Sequence, residues 1–141
     1  MEAILKNNPL FLLLALILTI SCNDISEFNN YKIVADSSWK SGKKISFFFQ
    51  IKDTILPKNL FINIRSNKEY GFSNLYLITA FKFPDNSLVI DTLQYEMTDA
   101  SGNWLGSGFT DLKENKLFYK ENVVFSEIGT YKFNIQHATR S

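Results

Sequence analysis

Alternation of apolar and polar residues along most of the chain constrains its fold more than any other feature of the sequence. Isoleucine or phenylalanine occupies every second position of residues 45–51, and residues 130–138 set Tyr131, Phe133 and Ile135 against polar neighbours. A repeat of two places the apolar residues on one face of a β-strand. Similar segments follow one another at short intervals, and no helical apolar period is held over three turns. We therefore predict an all-β fold, an antiparallel β-sandwich of about eight strands that resembles a jelly roll.

Some strands carry more specific expectations. Residues 75–83 are apolar on both parities, which predicts a strand in the middle of a sheet. Residues 88–97 change parity partway along, and a β-bulge near Asp91 would bring their apolar side chains to one face. Phe48 and Phe61 stand on the polar parity of their strands. They face either a second packed layer or solvent, where they would contribute to an apolar patch for a partner.

The N-terminus carries a hydrophobic leader that ends at Cys22, the only cysteine of the chain. The apolar run 10–18 is shorter than the roughly 20 residues that a membrane-spanning helix needs. Lys6 ahead of this run and the small Ser21 after it are typical of a secretory signal. A cysteine directly after the small residue resembles the lipobox of bacterial lipoproteins, which implies removal of the leader and acylation of Cys22. The alternative is a plain secreted protein with a free, buried thiol.

The chain therefore divides into three parts. Residues 1–21 are predicted to be a lipoprotein signal peptide, residues 22–30 a short polar tether, and residues 31–141 a single β-sandwich domain. The 15 Lys and Arg nearly balance the 14 Asp and Glu, which gives no electrostatic footprint for nucleic acid. Attachment to a membrane would thus come from the lipid on Cys22 and not from a basic surface.

The sequence offers little for catalysis or for binding a metal. His137 is the only histidine, and its place at the end of a strand is typical of a packed or hydrogen-bonded residue. A zinc site needs three or four Cys, His or carboxylate ligands, and the chain lacks the soft ones. We predict no enzyme, no metal and no cofactor. A glycosidase-like carboxylate pair stays an alternative, with Asp85, Asp91, Glu96, Asp99 and Asp111 as its candidates.

Residues 104–109 are the most unusual segment of the predicted domain. Gly106 and Gly108 alternate with larger residues, so Trp104 would share its face with bare backbone. Such a face lets another chain lie close, which makes Trp104, Gly106 and Gly108 a possible partner surface, or it makes room for a ring of the core. Trp39 and Tyr70, with Trp104, would form a sugar-stacking platform in a glycan-binding protein. For a tryptophan near the entry to a strand, such as Trp39, a lid over one end of the core is the alternative.

Three ordered blocks of the sequence resemble the GldH family of gliding-motility lipoproteins. They are residues 59–65 with 70 and 73–77, residues 91–97 followed by 102–108, and residues 113–117 with 119–120 and 129–133. A lipobox leader ahead of a small β domain is also the layout of that family. The likeness covers Trp39 to Arg140, nearly all of the predicted mature chain.

The resemblance implies a role and not a reaction. It implies a lipid-anchored, non-enzymatic envelope protein, on the periplasmic side or in the outer membrane, that works with other envelope lipoproteins of the gliding and type IX secretion machinery. A surface glycan-binding lipoprotein is the alternative function. The family pattern continues past the segment that matches residues 136–140 into a further apolar strand. The domain is therefore expected to be naturally short or to leave one sheet edge unpaired.

Overall fold

The computed structural model of the protein describes residues 27–138, and the predicted signal peptide and Cys22 lie outside this range. Its regular structure begins with one 3-10 turn at Ala35–Ser37 and continues with antiparallel strands. In chain order these are β1 (Ile45–Ile51), β2 (Lys58–Ser66), β3 (Asn74–Lys82), β4 (Leu88–Glu96), β5 (Lys113–Val123) and β6 (Gly129–His137). Their β-branched and aromatic residues suit a pleated, half-buried surface. No helix within the described range is long and apolar enough to cross a bilayer.

The strands form two sheets that enclose one core. The larger sheet has the order β1-β6-β3-β4, and β2 pairs with β5 in the smaller one. This confirms the predicted antiparallel β-sandwich in a single domain. The described chain has six strands instead of about eight. Residues 104–109 account for one of the missing strands, since they form only isolated bridges, from Trp104 to Thr98 and from Ser107 to Glu114. Glycine inside a strand weakens it, and Gly106 interrupts the pairing here.

The position of β3 agrees with the sequence, whereas the bulge predicted in β4 does not. β3 lies between β6 and β4, as its two apolar parities predict. The register of β4 on β3 continues without a shift, so the β-bulge near Asp91 is wrong. Leu88 and Ile90 instead lie exposed on the outer face, and Asp91 points between the sheets. The apolar pattern of β4 is interrupted because its inward position 91 holds an aspartate, which binds Tyr119 and Lys120 between the sheets.

Two apolar clusters fill the space between the sheets. One consists of Ile62, Leu75, Leu77, Met97, Leu117 and Ile135. The other consists of Ile51, Phe81, Phe125 and Tyr131. Tyr131 is fully buried in the second cluster, and the rings of Phe125 and Phe83 lie 5.0 and 5.4 Å from its own, both edge-on. Edge-to-face packing of this kind adds stabilisation beyond the area that the rings bury.

Three connections meet at one end of the sandwich, which we call the proximal end. They are the β1–β2 loop (52–57), the β3–β4 turn (83–87) and the β5–β6 loop (124–128). They are neighbours because Ile51 pairs with Gly129 and Lys58 with Val123, and because Lys82 at the end of β3 pairs with Lys132 near the start of β6. The opposite end, which we call the distal end, carries the β2–β3 loop (67–73) and the long β4–β5 loop (97–112).

Residues 27–32 form a strap along the side of the sandwich where β1 and β2 lie. Its contacts are Glu27 with Lys58 at 2.9 Å, Phe28 with the Phe49 ring at 5.2 Å, Tyr31 with Glu114 at 3.0 Å and Lys32 with the Phe47 ring at 5.6 Å. The strap thus contacts both sheets. It includes residues 27–30 of the predicted tether, so the chain is fixed to the domain from residue 27 onward.

Candidate functional site

The long β4–β5 loop at the distal end begins with a compact turn. One carboxylate oxygen of Asp99 accepts backbone N–H bonds from Ser101 and Asn103, each at 2.8 Å. The other accepts a bond from the side-chain amide of Asn103 at 2.9 Å. The amide of Asn103, followed by the backbone donors, lowers the pKa of the Asp99 carboxyl. Both oxygens serve the turn itself, which accounts for an Asp at this position.

The glycines predicted to open a partner surface are packed against the chain itself. A Cβ on Gly106 would lie 2.6 Å from Oδ1 of the buried Asn115. A Cβ on Gly108 would lie 2.4 Å from the carbonyl oxygen of Leu112. The backbone φ of Gly108 is +145°, a conformation that residues with a side chain rarely adopt. The glycines make room, as one interpretation predicts, but for Asn115 and a backbone carbonyl and not for a core ring. The partner role of this face stays a prediction.

The exposed apolar residues of this loop are not those that the sequence singled out. Trp104 is half-buried and packs against the core, whereas Leu105 and Leu112 are largely exposed and Phe109 is fully exposed. The sequence contained a signal for Leu105 alone, because adjacent residues of an extended segment point to opposite sides and Leu105 directly follows Trp104. Phe109 lies beyond Gly108, where the chain is no longer a strand, so parity does not predict its direction.

The three rings proposed as a sugar platform lie over the distal end of the core. Trp39, Tyr70 and Trp104 are each half-buried and contact the first apolar cluster. Trp39 donates its indole N–H to the carbonyl of Lys43 at 2.7 Å, and the rings of Tyr70 and Trp104 lie 6.3 Å apart. This arrangement favours the lid interpretation, since the ring faces are partly used by the core.

His137 also belongs to this lid. Its ring lies edge-on to Trp39, with 5.3 Å between the centroids, and its Nε2 is hydrogen-bonded to the backbone carbonyl of Trp39. The prediction of a hydrogen-bonded residue at a strand end is therefore confirmed. The same contact explains why Trp39 is held over the core.

A group of polar side chains with shifted pKa values lies between the two sheets, where β4 faces β5. The hydroxyl of Tyr119 donates to a carboxylate oxygen of Asp91 at 2.6 Å, and the ammonium of Lys120 contacts the same oxygen at 2.8 Å. The Lys120 bond and then the Tyr119 bond lower the pKa of Asp91. Burial, followed by the bond to Asp91, raises the pKa of Tyr119. Thr79 is fully buried beside them and lies 3.4 Å from the Tyr119 hydroxyl. We interpret the group as a polar link between the two sheets.

The remaining candidate carboxylates are spread over the domain. Asp85 accepts the N–H of Ser87 at the proximal end, and Asp111 pairs with Lys68 at 3.1 Å at the distal end. Glu96 stands at the end of β4, on the exposed outer face. Within residues 27–138, no three His, Cys, Asp or Glu side chains come together as metal ligands would.

An open cleft of about 160 Å³ lies beside the polar link and reaches the proximal end. It is lined by Leu60, Phe81, Phe83, Val89, Tyr119, Lys120, Val123, Val124, Phe125 and Ser126. Binding sites for small molecules usually have a volume of about 300–1,000 Å³, and several of their polar groups point at the ligand. This cleft is smaller than that range, and its lining is mostly apolar, with Tyr119, Lys120 and Ser126 as its polar members.

Comparison with known proteins identifies the family. The family described as GldH lipoprotein matches residues 26–141. A gliding motility lipoprotein GldH homolog of Christiangramia forsetii is 45% identical over 125 residues, which are 89% of this chain and 76% of that protein. The gliding motility lipoprotein GldH of Flavobacterium johnsoniae is 43% identical over 136 residues, which are 96% of this chain and 83% of that protein. No solved structure matches the chain. The match spans the whole described sandwich and confirms the resemblance seen in the sequence: the chain belongs to the GldH lipoprotein family.

Proposed function

We propose that this chain is a lipid-anchored envelope protein of the gliding-motility machinery that acts by binding other envelope proteins and not by catalysis. Its membership of the GldH lipoprotein family is the observation that carries the proposal, since both named relatives are gliding motility lipoproteins. Lipoproteins are anchored in a membrane of the cell envelope. Cys22 is the residue that we expect to carry the lipid, because it directly follows the small residue at the end of the leader.

An interaction role suits the distal loop. Leu105, Phe109 and Leu112 are each exposed and belong to one loop, and exposed apolar surface of this kind is typical of contact sites for proteins. Aromatic residues in particular contribute much of the binding energy of interfaces. We propose that Leu105 and Phe109 bind a partner of the gliding and type IX secretion machinery, such as another envelope lipoprotein.

The experiment is deletion of the gene in a gliding host, with measurement of colony spreading and of adhesins secreted into the medium. Complementation uses the wild type and Cys22→Ala. We expect both functions to be lost on deletion and restored only by the form that can be lipidated. Normal spreading and secretion in the deletion strain would refute the proposal.

Point variants test the distal loop separately from the lipid. We expect Phe109→Ser combined with Leu105→Ser to reduce spreading while the protein level stays normal, since neither side chain supports the core. Phe48→Ser is the matched control, because Phe48 is exposed on the outer face of β1. Equal loss with Phe48→Ser, or no loss with the distal pair, would show that this loop is not the partner site.

The glycan-binding alternative stays a prediction. It would need Trp39, Tyr70 and Trp104 to offer their ring faces to a sugar, and each is half-buried against the core. Specific binding on a glycan array, quenching tryptophan fluorescence, would support this alternative over the motility role.

A further inference from the structure

We propose that the proximal end of the sandwich lies against the bilayer, with Ile55, Leu56 and Ile128 contacting the lipid. The proposal rests on the lipid anchor at Cys22 proposed above. It goes further by assigning the face of the domain that meets the membrane and the side chains that touch it.

The strap determines where the anchored chain joins the domain. Glu27 is bound to Lys58, the first residue of β2, and Phe28 packs on the ring of Phe49. Both contacts lie toward the proximal end. Residue 27 is five peptide units from Cys22, and five residues span at most about 18 Å even when fully extended. The lipid is therefore held within a short distance of the proximal end, whatever path the intervening residues take.

The distal end is too far from the lipid anchor to be the end that faces the bilayer. Strands β2, β3, β4 and β6 each have nine residues, which corresponds to a length of about 30 Å. The distal loops are thus farther from residue 27 than the tether can reach. An upright domain consequently meets the bilayer with its proximal loops and carries Phe109 away from it.

The proximal loops present apolar side chains at the place that the lipid reaches. Ile55 is 80% exposed and Ile128 is 67% exposed, and Leu56 is exposed beside Ile55. They lie on neighbouring loops, because Ile51 pairs with Gly129, which follows Ile128. Three large aliphatic groups directed at water are unfavourable, and burial of each at a membrane interface removes that cost.

The β1–β2 loop is also built to approach an apolar phase. Asp53 accepts the backbone N–H groups of Ile55 at 2.9 Å and of Leu56 at 3.1 Å. The donors at the tip are thus satisfied within the loop, and an unsatisfied donor would oppose contact with lipid. The carboxylate of Asp53 lies 3.6 Å from the ammonium of Lys58, which also binds Glu27. Asp53 and Lys58, the charged residues on either side of the Ile55–Leu56 tip, are therefore paired with each other.

Site-specific labelling of the full lipidated chain in vesicles tests this orientation. Acylation consumes the thiol of Cys22, so an introduced cysteine becomes the only free thiol for an environment-sensitive fluorophore. We would label Ile55→Cys and Ile128→Cys as proximal sites and Phe109→Cys as the distal control, all three exposed. The vesicles contain phosphatidylethanolamine and phosphatidylglycerol, with a nitroxide near the head group of a fraction of the lipids.

We expect the nitroxide lipid to quench both proximal labels and to leave the distal label unquenched. Iodide in the water should give the reverse order. Quenching of the label at 109 as strong as at 55 and 128, or no quenching at either proximal site, would overturn the orientation. Mass spectrometry of the N-terminal peptide separates the two proposals. An unmodified Cys22 overturns the anchor and the orientation together, whereas an acylated Cys22 with unquenched proximal labels overturns the orientation alone.

Discussion

Replacing Tyr119 by phenylalanine tests the interpretation that its hydroxyl links the two sheets. The substitution removes one oxygen and leaves the ring, which packs against Phe133 with 5.5 Å between the centroids. The substitution loses the 2.6 Å hydrogen bond to Asp91, on the neighbouring sheet, and the longer 3.4 Å bond that the Thr79 hydroxyl donates to the Tyr119 oxygen. Thr79 keeps its 3.5 Å contact to the backbone carbonyl of Asp91. Lys120 still contacts Asp91 at 2.8 Å, so the carboxylate is not left without a partner.

The expected cost follows from the charge of the acceptor. A hydrogen bond to a charged group contributes about 1.5–3 kcal/mol to stability, against about 1 kcal/mol for a neutral pair. Because Asp91 is partly exposed and keeps Lys120, we expect a value in the lower part of the first range, about 2 kcal/mol. For a domain of this size, that corresponds to a fall in Tm of about 8 °C.

Tyr95→Phe is the matched control for this substitution. The hydroxyl of Tyr95 also joins β4 to β5, by donating to the backbone carbonyl of Phe118 at 2.6 Å. Its acceptor is neutral, so the control should cost about 1 kcal/mol at every pH. Urea unfolding of the chain from residue 22 with Cys22→Ala would give both free energies of unfolding.

The pH dependence separates the two tyrosines. The folded-state pKa of Asp91 is lowered, so its ionised form adds stability above the unfolded pKa of about 3.9. That stability is lost as the pH falls through the folded pKa. The cost of Tyr119→Phe should therefore be constant near neutral pH and fall toward the cost of the control in acid. An equal cost for Tyr119→Phe at pH 7 and in acid would refute a charge-assisted bond, as would a cost no larger than that of Tyr95→Phe.

Two further substitutions test the loops and the core, each by urea unfolding beside a matched control. Gly108→Ala places a Cβ against the Leu112 carbonyl at a φ of +145° and should cost about 1–3 kcal/mol, whereas Gly71→Ala, with open space around it, should change stability by less than about 1 kcal/mol. Equal effects would show that Gly108 is not held by that contact. Leu77→Ala removes a fully buried side chain and should cost about 2–5 kcal/mol, while Ile33→Ala, 98% exposed, should change stability by no more than about 0.5 kcal/mol. A small effect at Leu77 would mean that the core repacks around the gap.

The strands could be predicted from the sequence because each has one face on a shared core. Parity gave the inward residues of β1 and β6 correctly, as the burial of Ile51, Tyr131 and Ile135 shows. The error in β4 came from treating apolar residues as inward everywhere. Leu88 and Ile90 lie outward, and a charged residue, Asp91, takes the inward position. Parity alone does not reveal such a site, because the partners of Asp91 are on β5, in the other sheet.

The surfaces could be predicted less well than the strands. Phe48 and Phe61 were predicted to face either a second packed layer or solvent. Both are exposed to solvent, and they lie on different sheets. Each ring is covered in part by a lysine of the paired strand, Lys132 at 5.4 Å and Lys116 at 4.4 Å. Cation–π contacts across a strand pair depend on register, which the sequence did not specify. The strap was also missed, since polar composition alone does not distinguish a free tether from a docked one.

The outward direction of the distal apolar residues is a property of the loop backbone and not of a loose chain. The carbonyl of Gly108 accepts a bond from the ammonium of Lys113 at 2.6 Å, and Ser107 exchanges two backbone bonds with Glu114 at 2.8 and 2.9 Å. These bonds lie on either side of the turn that carries Phe109. A large aromatic group held in water in this way supports the proposal that Phe109 contacts a partner. A membrane at the proximal end and a protein at the distal end would then each cover apolar residues that the isolated sandwich leaves in water.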